Sequence, residues 1–130
     1  MSTFRHASLA IATVFCAAAA HAGPADAMRI GLDELAQGQP AAAIAEIVGN
    51  PDLELDDPAR NINLAIAHAR AGRVDDARRH FDAVRLDEQR VELQTVNGDW
   101  IDSRELARLG LRKLARGEFQ SVHATPLAVR

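Results

Sequence analysis

Apolar and small residues recur at helical spacing through most of the chain, and glycines interrupt them at regular places. Residues 61–84 read NINLAIAHARAGRVDDARRHFDAV, a pattern that predicts two short helices folded back on each other around Gly72. A similar pattern precedes this segment around Gly38, and a partial copy follows it around Gly117. Because glycine adopts the left-handed conformation at little cost, each of these glycines is a good helix stop.

Residues that begin helices precede these apolar patterns. We expect a first helix over residues 27–37, capped by Asp26. The next helix is predicted to begin at Pro40, because the missing N–H of proline would have no intrahelical partner in the first turn. Asp57 and Asp102 are predicted to cap two later helices in the same way. The helices should therefore be short and antiparallel to their neighbours.

The period changes in the segment VELQTV, where apolar or β-branched residues alternate with polar ones. Asn97-Gly98 follows as a strong hairpin-turn signal, so we predict a small β-hairpin over residues 91–101, inserted between helical units. A two-stranded hairpin is unstable unless it packs on something, and we therefore expect Trp100 to fold back over the core. The alternative is that Trp100 is an exposed anchor for a partner.

One short signature occurs three times. In each copy an aliphatic and a small residue are followed, after six further positions, by glycine. The copies are Ile30-Gly31 with Gly38, Leu64-Ala65 with Gly72, and Leu109-Gly110 with Gly117. Beyond the first two of these glycines, Ala43 corresponds to Ala77 and Ile47 to Phe81, and the offset between the two copies is 34 residues.

These residues resemble the helix-turn-helix consensus of the tetratricopeptide-repeat family over roughly residues 27–124. The consensus tryptophan is missing, and Glu34, His68 and Lys113 stand where the family has tyrosine. The resemblance implies an all-α fold, a tetratricopeptide-like α-solenoid of about two and a half antiparallel units. The units would span residues 26–49, 57–88 and 102–124, with the hairpin between the last two.

The first residues have a different character from the rest. A basic start and an apolar run end at Ala20-His21-Ala22, which predicts that residues 1–22 are a secretory signal peptide cleaved after Ala22. The repeat domain would then span residues 23–124, with a flexible tail over residues 125–130. Abundant alanine and arginine suggest a GC-rich bacterial genome. We therefore expect a periplasmic or secreted bacterial protein with no stable membrane span after cleavage.

The resemblance also indicates where a partner would bind, because members of the family bind peptides in a concave groove lined by the first helix of each unit. The matching positions, called here the first-helix stripe, are all apolar and recur at four-then-three spacing, which puts each trio on one helix face. They are Met28, Leu32, Leu35, Ile62, Ile66, Ala69, Ala107, Leu111 and Leu114. Such a stripe is either an open groove for a partner helix or peptide, or is covered by the hairpin, the tail or a second copy.

A second kind of groove chemistry is partly visible. Asn63, Arg104 and Arg108 fall where some family members hold the C-terminal carboxylate of a partner. Met28 and Leu32 occupy positions where that clamp would need polar or basic groups. The alternative is that the arginines are solvated on a helix face.

Catalytic motifs are missing from the sequence. It contains no Gly-x-Ser-x-Gly, no His-x3-His and no phosphate-binding glycine loop, so we predict no enzyme activity, metal or cofactor. Asp75 and Asp76 are neighbours that do not share a helix face, and they fit the start of a helix better than a catalytic pair. The formal charge of −3 also disfavours nucleic acid as a partner.

The leading hypothesis is an exported, non-catalytic module that binds a partner peptide or helix in an apolar concave groove. The alternative is a self-contained structural protein, or a homodimer that buries the same stripe against its twin. A concentration-dependent mass above that of one chain would favour the homodimer.

Overall fold

The computed structural model describes residues 29–120, which form five α-helices, one two-stranded sheet and a 3-10 turn. The fold is therefore mostly helical with a small β-hairpin, as predicted. In chain order the elements are α1 Leu32–Ala36, α2 Pro40–Gly49, α3 Pro58–Arg70, α4 Val74–Leu86, β1 Glu92–Gln94, β2 Trp100–Asp102, α5 Ser103–Ala115 and the 3-10 turn Glu118–Gln120.

The first helix is shorter than predicted. Gly31, expected inside a helix over residues 27–37, is instead the residue before it and has φ of 79°. A Cβ atom at this position would lie 2.7 Å from Cδ1 of Ile47, so the backbone here approaches α2 more closely than any other residue would allow. The left-handed backbone of Gly31 is not helical, so α1 begins only at Leu32. The predicted cap, Asp26, lies outside the described residues.

The predicted starts of the later helices are confirmed. Pro40 and Pro58 are the first residues of α2 and α3. The side chain of Asp57 accepts a hydrogen bond of 2.8 Å from the N–H of Arg60, and Asp102 accepts from the first N–H groups of α5. These bonds satisfy amide groups that have no partner within the helix.

The turns around Gly38 and Gly72 have the same hydrogen bonds at an offset of 34 residues. The N–H of Gln39 donates to the carbonyl of Glu34 at 2.7 Å, and the N–H of Arg73 donates to that of His68 at 2.9 Å. Both glycines have positive φ, of 72° and 76°. This is the Schellman arrangement, in which a left-handed glycine closes a helix. The repetition seen in the sequence is thus also present in the backbone.

Helix α3 lies at the centre of the fold, and every residue from Ala59 to Ala69 is buried. It packs against α2, α4, α5 and the 3-10 turn, so it needs apolar or paired groups on all its faces. At its end, Nη1 of Arg70 donates to the carbonyl of Leu35 at 2.6 Å. That bond ties α3 to the end of α1.

The hairpin pairs β1 and β2 in antiparallel register, with Leu93 opposite Ile101 and Gln94 opposite Trp100. The carbonyl of Thr95 accepts from the N–H of Gly98, whose φ is 92°. A three-residue loop that ends in a left-handed glycine matches the right-handed twist of paired strands. The hairpin prediction is confirmed.

The third unit is described only in part. Helix α5 is followed by Gly117, with φ of 69°, as the sequence predicts. The partner helix expected from residue 118 is a single 3-10 turn as far as Gln120, and the rest lies outside the described residues. Within that turn Phe119 stacks on Phe81, with ring centroids 6.0 Å apart, and closes this end of the core.

Candidate functional site

The first-helix stripe lies inside the core of the described chain. Ile62 is 0% exposed and Ile66 is 1% exposed, and neither has contact with solvent that a partner would need. Leu32 and Leu111 are only partly buried, and Met28 lies outside the described residues. The remaining stripe residues, all of them buried, are Leu35, Ala69, Ala107 and Leu114. The stripe is therefore covered rather than open in this structure.

The hairpin belongs to the same apolar core as the stripe. Leu93 is buried in the same apolar cluster as Ile62 and Ile66, and both Val96 and Ile101 pack against the cluster. Three segments were considered as covers for the stripe: the hairpin, the tail and a second copy of the chain. Of these, the hairpin lies within the described residues. The tail, residues 125–130, lies outside them.

The three residues of the suggested carboxylate clamp differ in accessibility. Asn63 is buried. Nε of Arg104 is also buried, and this atom has no hydrogen-bond partner among the described residues. Arg108 is the only exposed member, and its guanidinium lies 3.8 Å from the carboxylate of Glu105. These side chains do not offer three accessible donors to one ligand.

Trp100 does not fold over the core, and that prediction was wrong. The residue is 62% exposed. The register explains the orientation, because side chains directly opposite each other lie on the same face of a strand pair. Leu93 and Ile101 occupy the face toward the core, so Gln94 and Trp100 must occupy the other. The candidate anchor is therefore accessible to a partner.

We call this second face the outer face, defined by the side chains of Glu92, Gln94, Trp100 and Asp102. The amide of Gln94 donates to the carbonyl of Gly98 at 3.2 Å, and the carboxylate of Asp102 caps α5. These bonds fix two of the groups next to Trp100. The sequence already contained the signal, since strand alternation puts these four residues together once the turn is located.

A surface pocket of about 320 Å³ lies between α1 and the loop of the hairpin. Leu32, Ala36 and Val96 supply apolar walls, while Arg29 and Asp33 supply one charge of each sign. The sequence did not indicate this pocket, because it depends on how the hairpin loop packs against α1. The pocket shows that the cover over the stripe is incomplete next to Leu32.

Two histidines form a stacked pair between α3 and α4. The ring centroids of His68 and His80 are 5.4 Å apart with an interplanar angle of 11°. Nδ1 of His80 lies 2.9 Å from Oδ1 of Asn61, whose amide group donates to the carbonyls of Leu55 and Asp57. Because the Asn61 oxygen can only accept, Nδ1 of His80 carries the proton and donates. A neutral His80 with its proton on Nδ1 therefore supplies the donor that Oδ1 of Asn61 needs.

Burial lowers the pKa of both histidines below the usual 6.5. For His80 the neighbouring His68 and Arg60 add to the effect, while the carboxylate of Asp76 opposes it. The carboxylate of Asp76 also opposes the effect at His68, where its Oδ2 is 3.8 Å from Nδ1. The pair therefore acts as a structural unit that favours the neutral rings.

The described residues 29–120 show no group of three acidic, histidine or cysteine side chains arranged to bind a metal. Among the helices of this region, none has the length and apolar character needed to cross a membrane. Neither the family models nor the curated proteins or solved structures compared with the chain match it.

Proposed function

We propose that this protein is a non-catalytic interaction module of tetratricopeptide-like architecture that binds a partner protein. The 34-residue repetition of turns and buried contacts supports the architecture. Export to the periplasm or beyond is part of the proposal and rests on residues 1–22 of the sequence.

The exposure of Trp100 carries the proposal. Tryptophan is among the residues most often found at the energetic centre of protein interfaces, because it buries a large area at low entropic cost. Leaving a tryptophan 62% exposed to water has no benefit for folding. The inner face of the hairpin is held in the core, so the anchor is presented on a fixed support.

The placement of the first-helix stripe changes where the partner should bind. Ile62 and Ile66 are buried and offer no surface to a peptide, whereas the outer face is accessible without any movement. We therefore assign the partner to the outer face, and the apolar groove becomes part of the core. A homodimer that buries the stripe against its twin would also need the stripe to be exposed in the single chain.

Affinity capture from a periplasmic extract tests the proposal. The purified protein should retain a partner that the Trp100→Ala variant loses. Leu86→Ala is the matched control, because Leu86 is an apolar residue that is 67% exposed on α4. Retention that is the same for all three proteins, or absent for all, would contradict the proposal. Sedimentation velocity over a range of concentrations then tests self-association, the alternative function.

A further inference from the structure

We propose that the outer face of the hairpin binds an extended segment of a partner protein that carries arginine or lysine, with the cation seated on Trp100. The inference rests on the proposed interaction function and names the chemistry of the partner. Charge, accessibility and backbone geometry around Trp100 each support it.

The hairpin and the residues next to it carry a net negative charge. Residues 88–105 contain five acidic and two basic side chains, a net charge of −3, which equals that of the whole chain. Of the two basic groups, Arg90 lies 3.6 Å from Asp102, and Nε of Arg104 is buried. One cation of this segment is thus paired, and the other is only partly exposed.

One carboxylate of the outer face, that of Glu92, remains available next to Trp100. Glu92 is exposed and diagonal to Trp100 on the outer face, a relationship that puts the Cα atoms of such residues about 7–8 Å apart. Asp99 is also exposed, but it directly precedes Trp100, so strand alternation puts its side chain toward the other face, where it adds negative charge near the turn. Within residues 29–120 neither carboxylate takes part in an ion pair, and no cation is seated on the indole ring.

An aromatic face with a carboxylate beside it fits a cation. The indole ring attracts a guanidinium or ammonium group through its quadrupole, and the carboxylate of Glu92 adds a charge-assisted interaction. The same charges repel the phosphates of nucleic acids and anionic lipid headgroups. Charge complementarity therefore selects a basic protein segment over either polyanion.

The backbone of β2 favours an extended segment. The bonds from Thr95 N–H to Asp99 and from Ser103 N–H to Val91 fix the hydrogen-bonded pairs of the hairpin. Trp100 and Gln94 are consequently a non-bonded pair, so the N–H and C=O of Trp100 point away from β1. No hydrogen bond within the described residues uses them. A partner strand could therefore pair beside the indole ring.

Two acetylated and amidated peptides test the inference, one of four Arg-Val repeats and one of four Glu-Val repeats. Trp100 is the only tryptophan, so its emission reports directly on this face. The arginine peptide should shift the emission to the blue and bind more weakly as salt is added, while the glutamate peptide should not bind. Equal binding of both peptides, or no binding of the arginine peptide, would overturn the inference.

Variants locate the site, with binding followed by the anisotropy of a labelled peptide. Glu92→Gln should weaken binding of the arginine peptide about two- to fivefold, Asp99→Asn should weaken it less, and Trp100→Ala should weaken it at least as much as Glu92→Gln. Glu54→Gln is the matched charge control, because Glu54 is exposed on a different loop. Equal losses for Glu92→Gln and Glu54→Gln would mean only diffuse attraction and would refute the site.

The partner captured in the earlier experiment separates the two claims. If it requires Trp100 but binds Glu92→Gln and Asp99→Asn normally, the interaction function stands and the basic segment is refuted. If no captured protein depends on Trp100, both the interaction function and the basic segment are refuted.

Discussion

The backbone of Gly110 lies directly against the ring of Phe81. A Cβ atom on Gly110 would come within 3.0 Å of three atoms of that ring. Phe81 is 1% exposed and has no open space to move into, so α5 can pack on α4 only because Gly110 lacks a side chain.

We therefore expect Gly110→Ala to destabilise the protein. Alanine normally stabilises a helix interior relative to glycine by up to about 1 kcal/mol, but overpacking a buried contact costs about 1–3 kcal/mol, and here the clash should prevail. Urea denaturation measures the difference in the free energy of unfolding. Gly49→Ala is the matched control, because a Cβ atom at that helical position meets nothing within 4 Å. A variant at residue 110 as stable as this control would refute the packing argument.

Removal of a helix cap should lower stability by a smaller amount. Asp57→Ala takes away the acceptor for the N–H of Arg60 at the start of α3, which should cost ~1 kcal/mol. Thermal unfolding followed by circular dichroism measures the loss. Asp56→Ala removes the same charge from the preceding exposed residue and should have little effect. Equal losses for the two variants would mean that charge, and not the cap, is responsible.

The histidine pair predicts that stability decreases in mild acid. The pKa of each ring is below 6.5 in the folded chain, so the unfolded chain binds protons first as the pH falls. The neutral rings contribute fully to the free energy of unfolding above pH 6.5. This contribution is lost as the pH falls from 6.5 through the pKa values that the two rings have in the folded chain. Denaturation at pH 7.5 and at pH 5.5 measures this change.

A double variant isolates the histidines from the carboxylates that also titrate in acid. His68→Phe keeps a buried ring, and His80→Gln keeps a donor for Asn61, yet neither new side chain titrates. The double variant should lose less stability between the two pH values than the original protein. An identical loss would show that other groups cause the dependence. Titration of the ring protons by NMR checks the direction of both pKa shifts.

The placement of the first-helix stripe predicts a core phenotype for its central residue. Ile66→Ala should lower the free energy of unfolding by about 2–5 kcal/mol, because it creates a cavity among close-packed groups. Leu55→Ala removes an aliphatic side chain that is 78% exposed and should change little. A stable Ile66→Ala variant with normal urea denaturation would indicate that the stripe is an accessible surface.

The sequence determined the local features of this fold. Caps such as Asp57 and stops such as Gly72 act through hydrogen bonds within a few residues, so their positions could be predicted without knowledge of packing. The Asn97-Gly98 turn is local in the same sense. The 34-residue repetition was also visible, because equivalent turns need equivalent glycines.

Tertiary structure decided which surfaces are buried. The strand alternation put Trp100 and Leu93 on opposite faces, but only the contact of Leu93 with the core determined which face remained in water. Gly31 lies so close to Ile47 that a side chain would not fit there, a contact between distant positions that no local pattern specifies. An apolar stripe looks the same in a sequence whether it faces solvent or a hairpin, because burial depends on what the rest of the chain brings to it.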